Sequence, residues 1–72
     1  MGSDQYIGID KAQEIALKSA GLTWDQITSS IAVELDREDA EYEVEFQAGD
    51  TKYEYKIDAN TGKVLDVDVD RD

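Results

Sequence analysis

Tyr42-Glu43-Val44-Glu45-Phe46, then Gly49-Asp50, then Tyr53-Glu54-Tyr55-Lys56-Ile57-Asp58-Ala59-Asn60-Thr61-Gly62-Lys63-Val64-Leu65 is the stretch that decides the fold. Apolar and charged residues alternate with period two. That is the pattern of strands with one buried face and one wet face. Gly49-Asp50 is a Gly-X pair suited to a two-residue type II′ turn. Such a turn pairs Ala48 with Thr51, Phe46 with Tyr53, Val44 with Tyr55 and Tyr42 with Ile57, so apolar side chains oppose each other along the core side. A slip of one residue would turn these side chains to water, so the register is strongly specified. Asn60-Thr61-Gly62 suits a three-residue loop with Gly62 in the left-handed conformation.

The pattern extends on both sides. Upstream, Ile31, Val33 and Leu35 alternate with Ala32, Glu34 and Asp36. A four-residue loop, Arg37 to Ala40, then pairs Leu35 with Tyr42, Val33 with Val44 and Ile31 with Phe46. Downstream, Leu65, Val67 and Val69 alternate with Asp66, Asp68 and Asp70. The product is a four-stranded antiparallel meander with one apolar face that something must cover.

Only one segment can cover it. Asp10 to Ala20 reads as a helix, with Asp10 as N-cap and Gln13 closing a capping box. Ala12, Ile15, Ala16, Ser19 and Ala20 form one stripe of mostly small residues that can lie close on a sheet. Leu17 falls off the stripe, at the rim of the core. Gly21 stands where a left-handed C′ residue is wanted, followed by apolar Leu22. Thr23 to Ile27 suits a single helical turn capped by Thr23. Trp24 admits two readings: an exposed anchor, or a ring closing one end of the core. The second is favoured, because aromatic burial dominates small cores. The fold class is therefore α+β, one N-terminal helix on a four-stranded antiparallel meander. It forms a single domain over residues 6–70. Residues 1–5 read as a non-native or disordered start, and Asp70 to Asp72 as a frayed end.

Composition narrows the function. The 72 residues contain no cysteine, histidine or proline, and 18 acidic residues against seven basic ones give a net charge of −11. Without His or Cys the commonest general base, zinc ligand and thiolate nucleophile are missing. Serines lie only at the start, in the helix and in the connector, so a hydrolytic triad cannot be assembled. The chain is not expected to be an enzyme, and no cofactor or metal is expected. The charge disfavours nucleic acid and anionic membrane surfaces, and it favours cations or a basic protein surface. No apolar run approaches the roughly 20 residues that cross a bilayer. The absence of cysteine fits both cytosol and bacterial export.

Tyr6-Ile7-Gly8-Ile9-Asp10-Lys11-Ala12, Ile15-Ala16-Leu17 and Ala20-Gly21 resemble the opening helix of a PepSY domain. Val33-Glu34-Leu35-Asp36, Tyr42 to Phe46, Tyr53 to Ala59 and Thr61-Gly62-Lys63-Val64-Leu65 resemble its strands. The most specific block is Ile57-Asp58-Ala59, Thr61-Gly62 and Val64-Leu65. The resemblance implies a cystatin-like fold and an extracytoplasmic setting, in peptidase propeptides, envelope proteins or tandem secreted modules. It implies inhibition or modulation of peptidases, and it brings no catalytic motif. Asp58 and Gly62 match the family pattern as turn residues.

The remaining candidate site is the wet face of the sheet: Glu34, Glu43, Glu45, Lys52, Glu54 and Lys56. The expected register sets Lys56 opposite Glu43 and Lys52 opposite Gln47. An ordinary solvated face is the plain reading, and a surface for a basic partner is the functional one. Asp66, Asp68 and Asp70 resemble the start of a calcium loop. That loop needs a glycine at its sixth position, where Arg71 stands, and a glutamate at its twelfth. A solvated acidic edge that blocks stray strand pairing is the better account. The expected function is a non-enzymatic secreted or cell-envelope bacterial module that binds and modulates a protein partner, with a secreted metallopeptidase as candidate. The alternative is an acidic cation-binding module or a structural spacer of a tandem surface protein. Neither nucleic acid binding nor direct membrane insertion is expected, and the chain should be a monomer or a weak edge-paired dimer.

Overall fold

The computed structural model describes residues 6–71; the start at residues 1–5 and Asp72 lie outside the described residues. Helix α1 (Ile9–Ala20) is followed by a single 3-10 turn (Trp24–Gln26) and four strands: β1 (Ala32–Asp36), β2 (Glu41–Ala48), β3 (Thr51–Asp58) and β4 (Val64–Arg71). The strands form one sheet in the order β1-β2-β3-β4, each antiparallel to the next. This is the meander that the alternation predicts.

The β2–β3 register is the expected one, from Tyr42 opposite Ile57 to Ala48 opposite Thr51. Gly49 has φ +66, and Asp50 is not among the positive-φ residues, as a type II′ turn requires. Phe46 stacks on Tyr53 with ring centroids 5.2 Å apart, and on Tyr55 at 6.1 Å. These rings, with buried Tyr42, Val44 and Ile57, make the sheet side of the core. Ala12, Ala16 and Leu17 make the helix side, and Ala12 and Ala16 are fully buried. Small side chains there let the α1 backbone approach β2 and β3 closely.

Several expectations are corrected. Asp10 is not the N-cap. That position falls to Gly8 (φ 98), and no side chain caps the helix. The chain is pinned just before it by the Ile7 N–H on the Ala59 carbonyl, 2.8 Å, so the sharp turn into α1 comes at a glycine, where positive φ is cheap. The Gly8 N–H donates to the Tyr42 hydroxyl at 3.2 Å. Asp10 instead sits in the first turn, where its charge suits the helix dipole. Ser19 is exposed, while Leu17 is buried in the core and not at its rim. The C-terminus of α1 forms as expected. Gly21 is left-handed, and the Leu22 N–H reaches the Leu17 carbonyl at 3.0 Å.

The expected Ile31–Phe46 pair does not form, because β1 begins at Ala32 opposite Glu45. The end of β2 is satisfied by the connector: Thr28 N–H bonds the Gln47 carbonyl (2.9 Å) and Gln47 N–H bonds Ser29 Oγ (3.0 Å). Trp24 does not close the core; it is 58% exposed. The Gln26 carboxamide accepts the Thr23 N–H at 2.8 Å, which caps this turn.

The β3–β4 connection is wider than three residues. Asp58 N–H bonds the Lys63 carbonyl and Gly62 N–H bonds the Asp58 carbonyl, both at 2.8 Å. The Ala59 N–H bonds the Ala40 carbonyl at 2.8 Å, which carries the β2–β3 register one residue past Glu41–Asp58, while the Ala59 carbonyl receives the Ile7 N–H. The register then shifts between Lys56 and Ile57, so Ile57 faces Val64 while Lys56 faces Asp66. Leu65 is the extra residue of this bulge and is 45% exposed, out of the inward place the alternation assigned to it. The end expected to fray is strand as far as Arg71, which pairs with Thr51.

Candidate functional site

The sheet has a wet face because period-two alternation sends every second residue away from α1. The register lines these residues up in rows across the strands. One row runs Glu34, Glu43, Lys56, Asp66 and the next Ala32, Glu45, Glu54, Asp68. Glu34 therefore faces Glu43, Glu45 faces Glu54, and Glu54 faces Asp68. Each like-charge pair costs a few tenths of a kcal/mol in water. Lys56 relieves its row between Glu43 and Asp66. Lys52 stands between Gln47 and Asp70 in the next row, as the expected register has it.

Ala32 opens a gap in the second row. With no long side chain there, the face dips into a shallow depression of about 180 Å³ lined by Ala32, Glu34, Glu43, Glu45, Glu54 and Lys56. Five of the six residues singled out in the sequence thus converge on one hollow. Lys52, the sixth, lies just outside it, in a smaller hollow of about 70 Å³ with Glu54, Asp68 and Asp70. Lys52 reaches diagonally to Glu45 at 2.9 Å, which is the ion pair of this face among the described residues. The hydrogen bond to the Glu45 carboxylate, and then that carboxylate's charge, raise the Lys52 pKa above its ordinary 10.5. Both partners are about half exposed, so the pair adds little to stability.

The remaining acidic groups divide by role. The Asp58 carboxylate accepts the Asn60 N–H (2.8 Å) and the Thr61 N–H (3.1 Å), the structural turn role expected of it. Gly62 has φ +82, the left-handed conformation expected. A Cβ on Gly62 would lie 3.0 Å from Ile15 Cδ1, so glycine also lets the turn approach α1. Asp66, Asp68 and Asp70 alternate along β4 and extend the acidic face. They stand on strand backbone, not on a calcium loop.

Sequence reasoning treated those aspartates as a separate edge. The β3–β4 register is what joins them to the face, and the bulge that sets this register leaves no simple signal. Sequence reasoning also missed a cluster at the β1–β2 turn, where carboxylate oxygens of Asp36, Asp39 and Glu41 lie within 4.8 Å of one another. The signal was present: the four-residue loop folds Asp36 back on Glu41. Asp36 already holds this turn, accepting the Glu38 N–H (3.0 Å) and the Asp39 N–H (3.3 Å).

Chemically, the face offers many ionised oxygens on a nearly flat, open surface. Such a surface suits electrostatic contact with cationic groups. No described helix is long and apolar enough to cross a membrane.

Comparison with known proteins places the chain. An uncharacterised protein of Streptococcus pyogenes serotype M6, Spy1430, is 46% identical over 59 residues, covering 79% of this chain and 45% of that protein. The chain thus spans about half the length of this relative. No solved structure matches it. The model of the peptidase propeptide and YPEB domain matches residues 6–68, nearly the whole described chain, and the protein belongs to this family, PepSY.

Proposed function

We propose that this PepSY domain is a non-enzymatic module of the bacterial cell envelope or its surroundings that binds a protein partner through the acidic sheet face and modulates it. A secreted peptidase is the partner class. One observation carries the reading: rows of like-charged glutamates are kept side by side on a rigid sheet around a common depression. Such rows cost the free domain stability and are relieved when a basic surface covers them. The family supports the partner class, since it is the domain of peptidase propeptides. The chemistry agrees, because the chain has no His or Cys with which to catalyse.

The domain is titrated against a panel of secreted metallopeptidases, with complex formation followed by calorimetry and activity followed in parallel. The expected result is a saturable complex at micromolar concentration that weakens as salt rises. No complex and no change in activity across the panel would overturn the reading.

A second reading, cation binding, rests on the Asp36, Asp39 and Glu41 carboxylates. Millimolar Ca²⁺ added to the domain decides it: heat and a raised melting temperature support it, and the absence of both excludes it.

A further inference from the structure

β4 is an edge strand, and it is a long one. It runs eight residues, Val64–Arg71, against five for β1 at the opposite edge. Its outer backbone groups meet no other strand among the described residues. Proteins usually blunt such an edge by shortness, proline, a bulge or charged side chains; here the charges are Asp66, Asp68 and Asp70, which repel any strand that is not basic. β4 has no proline, and its bulge lies at its start, beside Leu65. Beyond the bulge it presents two different sides.

On the core side, Val67 pairs with Tyr55 and Val69 with Tyr53, so both continue the apolar face of the sheet. Helix α1 packs on β2 and β3 and stops short of them. Val67 is therefore 47% exposed and Val69 54%. On the wet side stand Asp66, Asp68 and Asp70. The edge is thus an apolar ledge backed by a row of carboxylates.

A second copy of the chain fits it poorly. In an antiparallel β4–β4 pair, directly opposite residues share a face, so aspartate would meet aspartate wherever the strands overlap. The complement is a strand of opposite pattern. We propose that β4 accepts an extended segment of another protein in which apolar residues alternate with lysine or arginine. The segment adds to the sheet as a fifth strand by hydrogen-bonding the outer edge, where it displaces the Asp66 carboxylate that accepts the Val67 N–H at 3.0 Å. Its apolar side chains cover Val67 and Val69, and its basic side chains face Asp66, Asp68 and Asp70. The net charge of −11 draws such a segment in. This rests on reading the domain as a protein-binding module and names where, and in what form, the partner enters.

The probe is a synthetic peptide alternating valine with lysine over roughly the length of β4. The control is a peptide of the same composition with valines and lysines in separate blocks. Binding is measured by titration, and the contact is located by amide hydrogen exchange. The expected result is new protection at every second amide of β4 and affinity about ten-fold above that of the block peptide. Asp68→Lys should weaken binding of the alternating peptide by about ten-fold. Glu38→Lys, the same charge change on an exposed loop, should alter it by no more than about two-fold.

Equal binding of both peptides, or changes confined to the Glu34–Glu54 depression, overturns the edge proposal and leaves the acidic-face reading standing. Protection of β4 without peptide, rising with protein concentration alongside a dimer in sedimentation, also overturns it in favour of a second copy. Peptide binding at the edge combined with no complex in the peptidase panel would keep the edge and remove the peptidase.

Discussion

Two residues, Gly62 and Tyr42, show how single positions hold the frame that carries the site. Gly62 combines a left-handed backbone with a close approach to Ile15, so an added methyl group meets both a conformational penalty and a contact at 3.0 Å. Gly62→Ala should destabilise the domain by about 1–2 kcal/mol. In a chain this short that lowers the melting temperature by about 5–15 °C, which calorimetry reads directly. The Tyr42 hydroxyl serves the other side of the same region by receiving the Gly8 N–H where the chain turns into α1. Tyr42→Phe removes that acceptor and should cost about 1 kcal/mol, seen as a lower urea midpoint with an unchanged m-value. Neither change touches the wet face, so binding measured on the folded variants should be preserved.

At the scale of elements, the helix is matched to the sheet by size as well as by pattern. Ala12 and Ala16 are fully buried where α1 packs on β2 and β3. Ala16→Leu should cost about 1–3 kcal/mol by overpacking, measured by thermal unfolding. The small-residue stripe announced this contact in the sequence, and the Gly49-Asp50 turn announced the β2–β3 register. Both are local signals: a helical period and a two-residue loop. What the sequence did not disclose depends on competition between distant groups. The last turn closes through Asp58 and Lys63, and the bulge at Leu65 then sets the register of β4. The helix is capped at Gly8 and not at Asp10, one residue after the Ile7 N–H ties the chain to the Ala59 carbonyl. Trp24 lies on the surface, 58% exposed, although aromatic residues usually anchor small cores. The candidate site was legible as far as it rests on β1 to β3. Its extension onto β4, and the gap at Ala32 that hollows it, needed the third register and the assembled face.

For the whole molecule, charge sets behaviour. A net charge of −11 on 72 residues, with glutamates opposed across the sheet, works against the compact state. Salt should therefore stabilise the free domain. Raising NaCl from 0.1 to 1 M shortens the screening length from about 10 to about 3 Å and should raise the melting temperature. A melting temperature that falls over this range would mean that attractive pairs such as Lys52–Glu45 outweigh the repulsive rows. The same charges should act in the opposite sense on a complex, which salt should loosen. The account's central claim is that the acidic sheet face is the surface a protein partner meets. The most direct measurement is the affinity of the double variant Glu43→Lys/Glu54→Lys, checked for a native fold, for a secreted metallopeptidase that binds the parent domain. The account predicts a loss of at least about ten-fold, with the salt dependence of binding reduced. An unchanged affinity and an unchanged salt dependence would contradict it.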